Sequence, residues 1–297
     1  HLVAIDAATG RPDAAFGQGG AVNLAADPDP RVETFTWTSA PLVVRDVVIV
    51  GATAMVPNRN WMTAPPGYVR AYDVRTGELR WRFSPIPEVD DPAIETWADS
   101  SWAYSGNANV WTLMSADEGL GHVYLPLKTT TNDWYGGHRL GDNLYGESLA
   151  AIDAETGEEL WVQDVGSYES GRLTNLGFNS RGVAHWSDGD DARIFLATGD
   201  AHLWSFDAET GRPIGRFGGD GKIDLTQGLR RPVDRRAYQV ISPPLVVGDV
   251  VIVDSSISDG PRYMTAPPGD IRGDRFYIAA AAADLFGKDI QSVLIHV

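Results

Sequence analysis

The chain has 297 residues, 43% of them hydrophobic, enough to bury a sizeable core as one large domain or two ordinary ones. Its 40 acidic and 24 basic residues give a formal net charge of −16, which disfavours a nucleic-acid partner and otherwise reads as a solvated acidic surface. There is no cysteine, so neither a disulfide framework nor a thiolate metal site exists. The 32 glycines and ten tryptophans, spread among short turn-bounded strands, favour an all-β class.

The first residues, His1-Leu2-Val3-Ala4, enter in mid-strand without a charged or apolar leader pattern, which predicts a start inside a domain. No run approaches the roughly 18 apolar residues of a membrane-spanning helix, so none is expected. One phrase then recurs. It reads Ala4-Ile5-Asp6-Ala7-Ala8-Thr9-Gly10, then Ala71-Tyr72-Asp73-Val74-Arg75-Thr76-Gly77 with Trp81 four residues on, then Ala151-Ile152-Asp153-Ala154-Glu155-Thr156-Gly157 with Trp161. A fourth copy, Ser205-Phe206-Asp207-Ala208-Glu209-Thr210-Gly211, keeps the core and places Ile214 near the tryptophan position.

Each copy predicts a β-hairpin: an apolar run, a turn in which Asp or Thr bonds backbone groups and Gly takes positive φ, then an outgoing strand. An indole on that strand is too large to bury within one small sheet, so it should pack on a neighbouring unit. The repeats are then blades around an axis, a β-propeller of four-stranded antiparallel blades, with loop insertions accounting for the irregular spacing of Asp6, Asp73, Asp153 and Asp207.

Between the repeats, Pro41–Val44, Val47–Val50, His122–Leu125 and Arg193–Ala197 read as strands. Asp27–Pro30, Thr63–Gly67 and Asp188–Asp191 read as loops. A longer repeat overlies these. Phe16-Gly17-Gln18-Gly19-Gly20 is answered by Phe217-Gly218-Gly219-Asp220-Gly221, the stretch Ser39–Val50 by Ser242–Val253, and Met62–Gly67 by Met264–Gly269. The same blade pair therefore occurs twice, and the chain reads as duplicated, or as a composite of two paralogous fragments joined near 162–170. Three segments follow: blades over 1–165, blades over 166–273 that repeat the start of the first, and a divergent tail over 274–297. In that tail Tyr277–Phe286 reads as a short helix of good formers, with a foreign tail as the other reading.

These residues resemble the quinoprotein dehydrogenases, whose eight-bladed propeller binds pyrroloquinoline quinone (PQQ) and usually Ca²⁺, and most of all the membrane-type glucose, quinate and polyol branch. The resemblance implies about half of such a ring, in a periplasmic protein. Ser180-Arg181-Gly182-Val183-Ala184-His185-Trp186 is similar to the family's Arg-Gly-x-Ala-Tyr-Trp phrase, with His185 in the tyrosine place. Arg181 is thereby the candidate to pair with a PQQ carboxylate, for which a guanidinium fork offers two parallel donors. Trp111, in Asn107-Ala108-Asn109-Val110-Trp111, falls where the family places the indole floor beneath the quinone plane. Thr38 matches a cofactor-bonding threonine, and Ser255 and Ser256 sit where a similar hydroxyl is expected. For calcium, Asp259 is the candidate ligand, with Asn58 in the matching place of the first copy.

Two departures stand out. After Trp161 the family carries a His-Asp-Leu-Trp-Asp-x-Asp segment with the catalytic aspartate, whereas this chain reads Val162-Gln163-Asp164-Val165-Gly166-Ser167-Tyr168-Glu169-Ser170. The vicinal cysteine pair of the alcohol branch is also absent. Trp134-Tyr135-Gly136-Gly137-His138-Arg139 resembles a family loop at the funnel mouth, with packing as its other reading. Six histidines show no ligand spacing, and there is no phosphate-cradling loop or Gly-x-Ser-x-Gly elbow. The resemblance implies oxidation of an alcohol, polyol or sugar hydroxyl by hydride transfer to the quinone, with a membrane quinone or cytochrome as electron acceptor. A non-enzymatic propeller that serves as an assembly scaffold in the bacterial envelope is the alternative. An open propeller also leaves a strand edge for a second copy or another chain to cover, completing the ring.

Overall fold

The computed structural model describes residues 1–26, 35–54, 62–132, 135–171, 180–227, 229, 233, 235, 238–240, 242–257, 278–282 and 291–295. Asn58, Asp259, Trp134, the loop at 27–30 and the phrase at 264–269 lie outside these residues. The chain divides into two compact units, His1–Val162 and Gln163–Val297.

Among the described residues, three four-stranded antiparallel sheets carry the fold, each with its strands in chain order. The first comprises Leu42–Val44, Val47–Val50, Val69–Asp73 and Leu79–Phe83. The second comprises Ser115–Asp117, His122–Pro126, Ser148–Asp153 and Glu159–Asp164, and the boundary between the units falls within its last strand. The third comprises Val183–Ser187, Ala192–Ala197, His202–Asp207 and Lys222–Asp224. Two-stranded pairs complete the described ladders, among them Leu2–Val3 with Ala21–Val22 and Leu245–Val247 with Val250–Ile252.

The recurring phrase folds identically four times. Asp6, Asp73, Asp153 and Asp207 each accept, through Oδ1, the amide of the threonine three residues on, at 2.7–2.8 Å. The following glycine donates its amide to the carbonyl of the same aspartate at 2.8–2.9 Å, with φ between +69° and +75°. That backbone region strains any L side chain, which is why glycine stands there.

The outgoing tryptophan docks on the next sheet. Trp81 is buried, and its indole Nε1 donates to the carbonyl of Ala154 at 2.9 Å. Its ring lies so close over Gly157 that a Cβ there would fall 2.7 Å from it. The core of the first unit grows around this contact, with Val44, Val47, Ile49, Val69 and Ala71 of the first sheet packing against Val123, Leu125, Ala150 and Ile152 of the second. In the first copy, which lacks the tryptophan, Phe16-Gly17 takes the docking place: Gly17 donates to the carbonyl of Thr76 at 2.8 Å, and buried Phe16 packs on Gly77. Trp161 is likewise buried, its ring 5.9 Å from that of Tyr124.

The tail corrects one expectation. In place of a helix over 277–286, Ile278–Ala282 forms a strand antiparallel to Gln291–Ile295, with Ile278 opposite Ile295 and Ala282 opposite Gln291. Alanine's helix propensity amounts to a few tenths of a kcal/mol per residue, and pairing with the β-forming Val293-Leu294-Ile295 overrides it.

Candidate functional site

In the first unit the structure brings two of the sequence candidates together. Thr38, 73 residues upstream, donates its hydroxyl to the carbonyl of Trp111 at 3.0 Å. A threonine hydroxyl has one proton, so in this arrangement Thr38 orders the tryptophan segment and keeps only acceptor lone pairs for a ligand. Trp111 is half-buried, and its indole Nε1 is shielded from solvent without a hydrogen-bond partner among the described residues; the neighbouring Thr112 hydroxyl is in the same state. Buried donors of this kind cost stability unless something accepts from them.

The segment is fixed by close backbone approach. A Cβ on Gly51 would fall 2.0 Å from the carbonyl oxygen of Val110, one residue before Trp111. Gly51→Ala is therefore expected to push the Trp111 segment aside and destabilise the first unit by about 1–3 kcal/mol, measured as a lower urea midpoint. An unchanged midpoint would show that the segment yields freely.

In the second unit, half-buried Arg181 stands immediately before strand Val183–Ser187, and its Nε is buried without a hydrogen-bond partner. The ladders Val183 with Leu196 and Ala197 with Leu203 put this strand end beside the turn at 198–202. There Asp200 accepts from the Thr198 hydroxyl at 2.5 Å and faces His202 Nδ1 at 2.8 Å. Burial pushes the Asp200 carboxyl up, but the bonds from His202 and Thr198 outweigh it and hold the group below its ordinary value. A carboxyl so depressed stabilises the fold above its unfolded pKa, about 3.9, and loses that contribution as pH falls through the folded value. Asp200→Asn is expected to cost about 1–3 kcal/mol near neutrality and progressively less below about pH 4. Urea midpoints of both proteins between those limits test this.

Ser255 is half-buried and interacts with the buried phenol of Tyr238, whose pKa burial raises. Ser256 lies in a strand opposite Gln239, whose side-chain amide is buried with neither its oxygen nor its nitrogen partnered. Sequence reasoning missed Gln239 and the Asp200–His202 pair. The phrase Thr198-Gly199-Asp200-Ala201-His202 signals the latter only once a hairpin folds the histidine back; nothing in the sequence signals the former.

Thr38 and Trp111 belong to one unit, Arg181, Ser255 and Ser256 to the other, and both metal candidates fall outside the described residues. Among the described residues no cluster of His, Asp or Glu could hold a metal ion. Arg139 spends its guanidinium on its own loop, donating to the carbonyl of Thr131 at 3.2 Å and to Asn143 Oδ1 at 2.7 Å, which favours the packing reading of that segment. In the stretch that replaces the catalytic-aspartate segment, Asp164 accepts from the Gly166 amide at 2.8 Å and the Tyr168 hydroxyl at 2.9 Å, closing its own turn. A cavity of about 320 Å³ in the first unit is lined by Pro66, Ser84, Ile86, Pro87, Glu88, Val89 and Trp102, and by none of the candidates.

Comparison with known proteins identifies the fold's lineage. The family model described as PQQ: Glucose/ethanol/alcohol dehydrogenase, beta-propeller domain matches residues 1–165 and again 149–275. The chain belongs to this family. The second match begins inside the first. Within this PQQ propeller family, the chain is 34% identical over 184 residues to the glycerol dehydrogenase large subunit of Gluconobacter oxydans (strain 621H), covering 59% of this chain and 24% of that protein. It is 35% identical over 165 residues to the quinate/shikimate dehydrogenase (quinone) of Acinetobacter baylyi (strain ATCC 33305 / BD413 / ADP1), covering 54% and 20%. The chain thus spans a quarter or less of the length of these curated relatives. The crystal structure of quinohemoprotein alcohol dehydrogenase from Comamonas testosteroni aligns over 86% of this chain and 41% of its own, with a TM-score of 0.57 at 21% identity, a likeness of fold: a partial β-propeller.

Proposed function

We propose that this chain is a portion of a PQQ- and calcium-dependent dehydrogenase that oxidises an alcohol, polyol or sugar hydroxyl and passes electrons to a quinone or cytochrome in the periplasm. The observation that supports this best is the contact between Thr38 and Trp111, which brings together two positions, far apart in sequence, that the family resemblance selects independently.

The residues present suit a flat polyanion. The Trp111 indole offers a planar apolar surface. Arg181 carries a buried donor that nothing in the described protein uses, the state of a guanidinium awaiting a carboxylate. Asp259 and Asn58 supply the oxygen ligands that Ca²⁺ prefers. When bound, PQQ supplies the two-electron acceptor and Ca²⁺ the Lewis acid.

The test is reconstitution of the chain with PQQ and Ca²⁺, followed by absorbance and by dye-linked oxidation of glucose, quinate, glycerol and simple alcohols. Absence of PQQ binding at micromolar protein would overturn the reading. The self-closed turn at Asp164 favours a second reading, a non-catalytic propeller that serves as a binding scaffold. Cofactor binding without turnover of any of these substrates is its expected signature.

A further inference from the structure

The cavity of about 320 Å³ in the first unit has a chemistry of its own, and its walls are held in place before anything enters. On one side the Ser84 hydroxyl donates to the Ile86 carbonyl at 2.6 Å. The turn that carries Glu88 and Val89 is closed by the Asp91 amide, which donates to the Glu88 carbonyl at 3.1 Å. Pro66 is clamped to the facing segment: the Asn107 amide donates to the Pro65 carbonyl at 2.9 Å, and the Gly67 amide to the Asn107 carbonyl at 2.8 Å. Half-buried Trp102 packs on buried Ile86, Trp97 and Ala108, and the Trp97 indole is itself tied to the Leu144 carbonyl at 2.8 Å. A cavity built this way costs little to organise on binding.

The lining side chains select what it takes. Pro66, Ile86, Pro87 and Val89 are apolar, Trp102 adds an indole, and Glu88 is the one charged lining residue. Ser84 has spent its proton on Ile86, so it keeps only lone pairs. Anions are repelled by Glu88 in a chain of net charge −16. A polyol would need a donor and an acceptor for each hydroxyl, and a primary ammonium would need three acceptors; the lining side chains are too poor in polar groups for either. A quaternary ammonium ion needs no hydrogen bonds: it offers methyl groups to apolar walls and a diffuse charge to an indole and a carboxylate. Arg82 competes weakly for that carboxylate. It donates to Glu88 Oε1 at 3.4 Å, a long bond between groups that solvent reaches, while its guanidinium lies over the Tyr68 ring at 4.3 Å.

We propose that this cavity is a binding site for a small quaternary ammonium ion, seated against Pro66, Ile86 and Pro87 with its charge between the Trp102 indole and the Glu88 carboxylate. The site shares no residue with the cofactor candidates and stands irrespective of whether PQQ binds.

Titration of the whole chain with choline chloride at fixed ionic strength, followed by saturation-transfer NMR on the trimethyl resonance, tests the proposal. Saturable binding with a Kd on the order of 1 mM is expected. The neutral isostere of choline, with a tert-butyl group in place of trimethylammonium, should bind about tenfold or more weakly. Glu88→Gln and Trp102→Leu should each weaken choline binding about tenfold, whereas Glu78→Gln, at an exposed position outside the cavity, should leave it unchanged. Glu88 is exposed, so its variant should fold as the wild type does, which circular dichroism checks. No saturable binding below roughly 20 mM, equal affinity for the neutral isostere, or wild-type affinity in either cavity variant would each overturn the proposal.

Discussion

Replacing Trp81 by alanine is expected to cost the first unit about 3–5 kcal/mol, the range for truncating a buried large aromatic. The reasons are additive. The indole is buried between two sheets, its N–H bond to the Ala154 carbonyl disappears, and the Gly157 turn loses the surface on which it rests. Measured against the roughly 5–15 kcal/mol that holds a typical domain, this is enough to unfold much of the population under mild heating. Trp81→Phe should recover most of the packing and forfeit the hydrogen bond, costing about 1–2 kcal/mol. The neighbouring Leu79→Ala, at an exposed position, should stay within about 0.5 kcal/mol. Urea unfolding of the three variants provides the comparison. Equal midpoints for wild type and Trp81→Ala would remove inter-sheet docking as the organising contact.

The second large effect is on binding and leaves stability alone. Arg181→Ala is expected to weaken PQQ affinity about 10- to 100-fold, the worth of a charge-assisted hydrogen bond. Its thermal midpoint should stay level or rise slightly, because the substitution deletes a buried donor that has no partner in the described protein. Affinity and stability moving in opposite directions mark a group held ready for a ligand. Arg181→Lys keeps the charge but loses the fork, and should restore affinity only in part. Titration followed by tryptophan quenching reads this without any turnover. Wild-type affinity in Arg181→Ala would remove the residue from the cofactor site.

Much of the fold was legible because its repeating unit is local. The Asp-x-x-Thr-Gly turn closes within five residues, and the tryptophan four residues later announces a neighbour to dock on, so sequence alone identified both the hairpins and their mode of packing. The tail was misread for the same reason: Ala279–Ala282 carry a helix preference, and the strand that overrides it starts nine residues beyond. The candidates Thr38 and Trp111 were picked out only through family resemblance, and no short-range pattern announces the contact between residues 73 apart. Gln239 and the Asp200–His202 pair escaped because their meaning depends on which ladder or turn brings them under cover.

The four Asp-Thr-Gly corners are self-contained. Each supplies its own hydrogen bonds, and the corners at Gly77 and Gly157 also give a ring, Phe16 or Trp81, a surface to land on, so the corner carries its local fold with it. A corner so self-sufficient keeps its hydrogen bonds wherever the sequence repeats it.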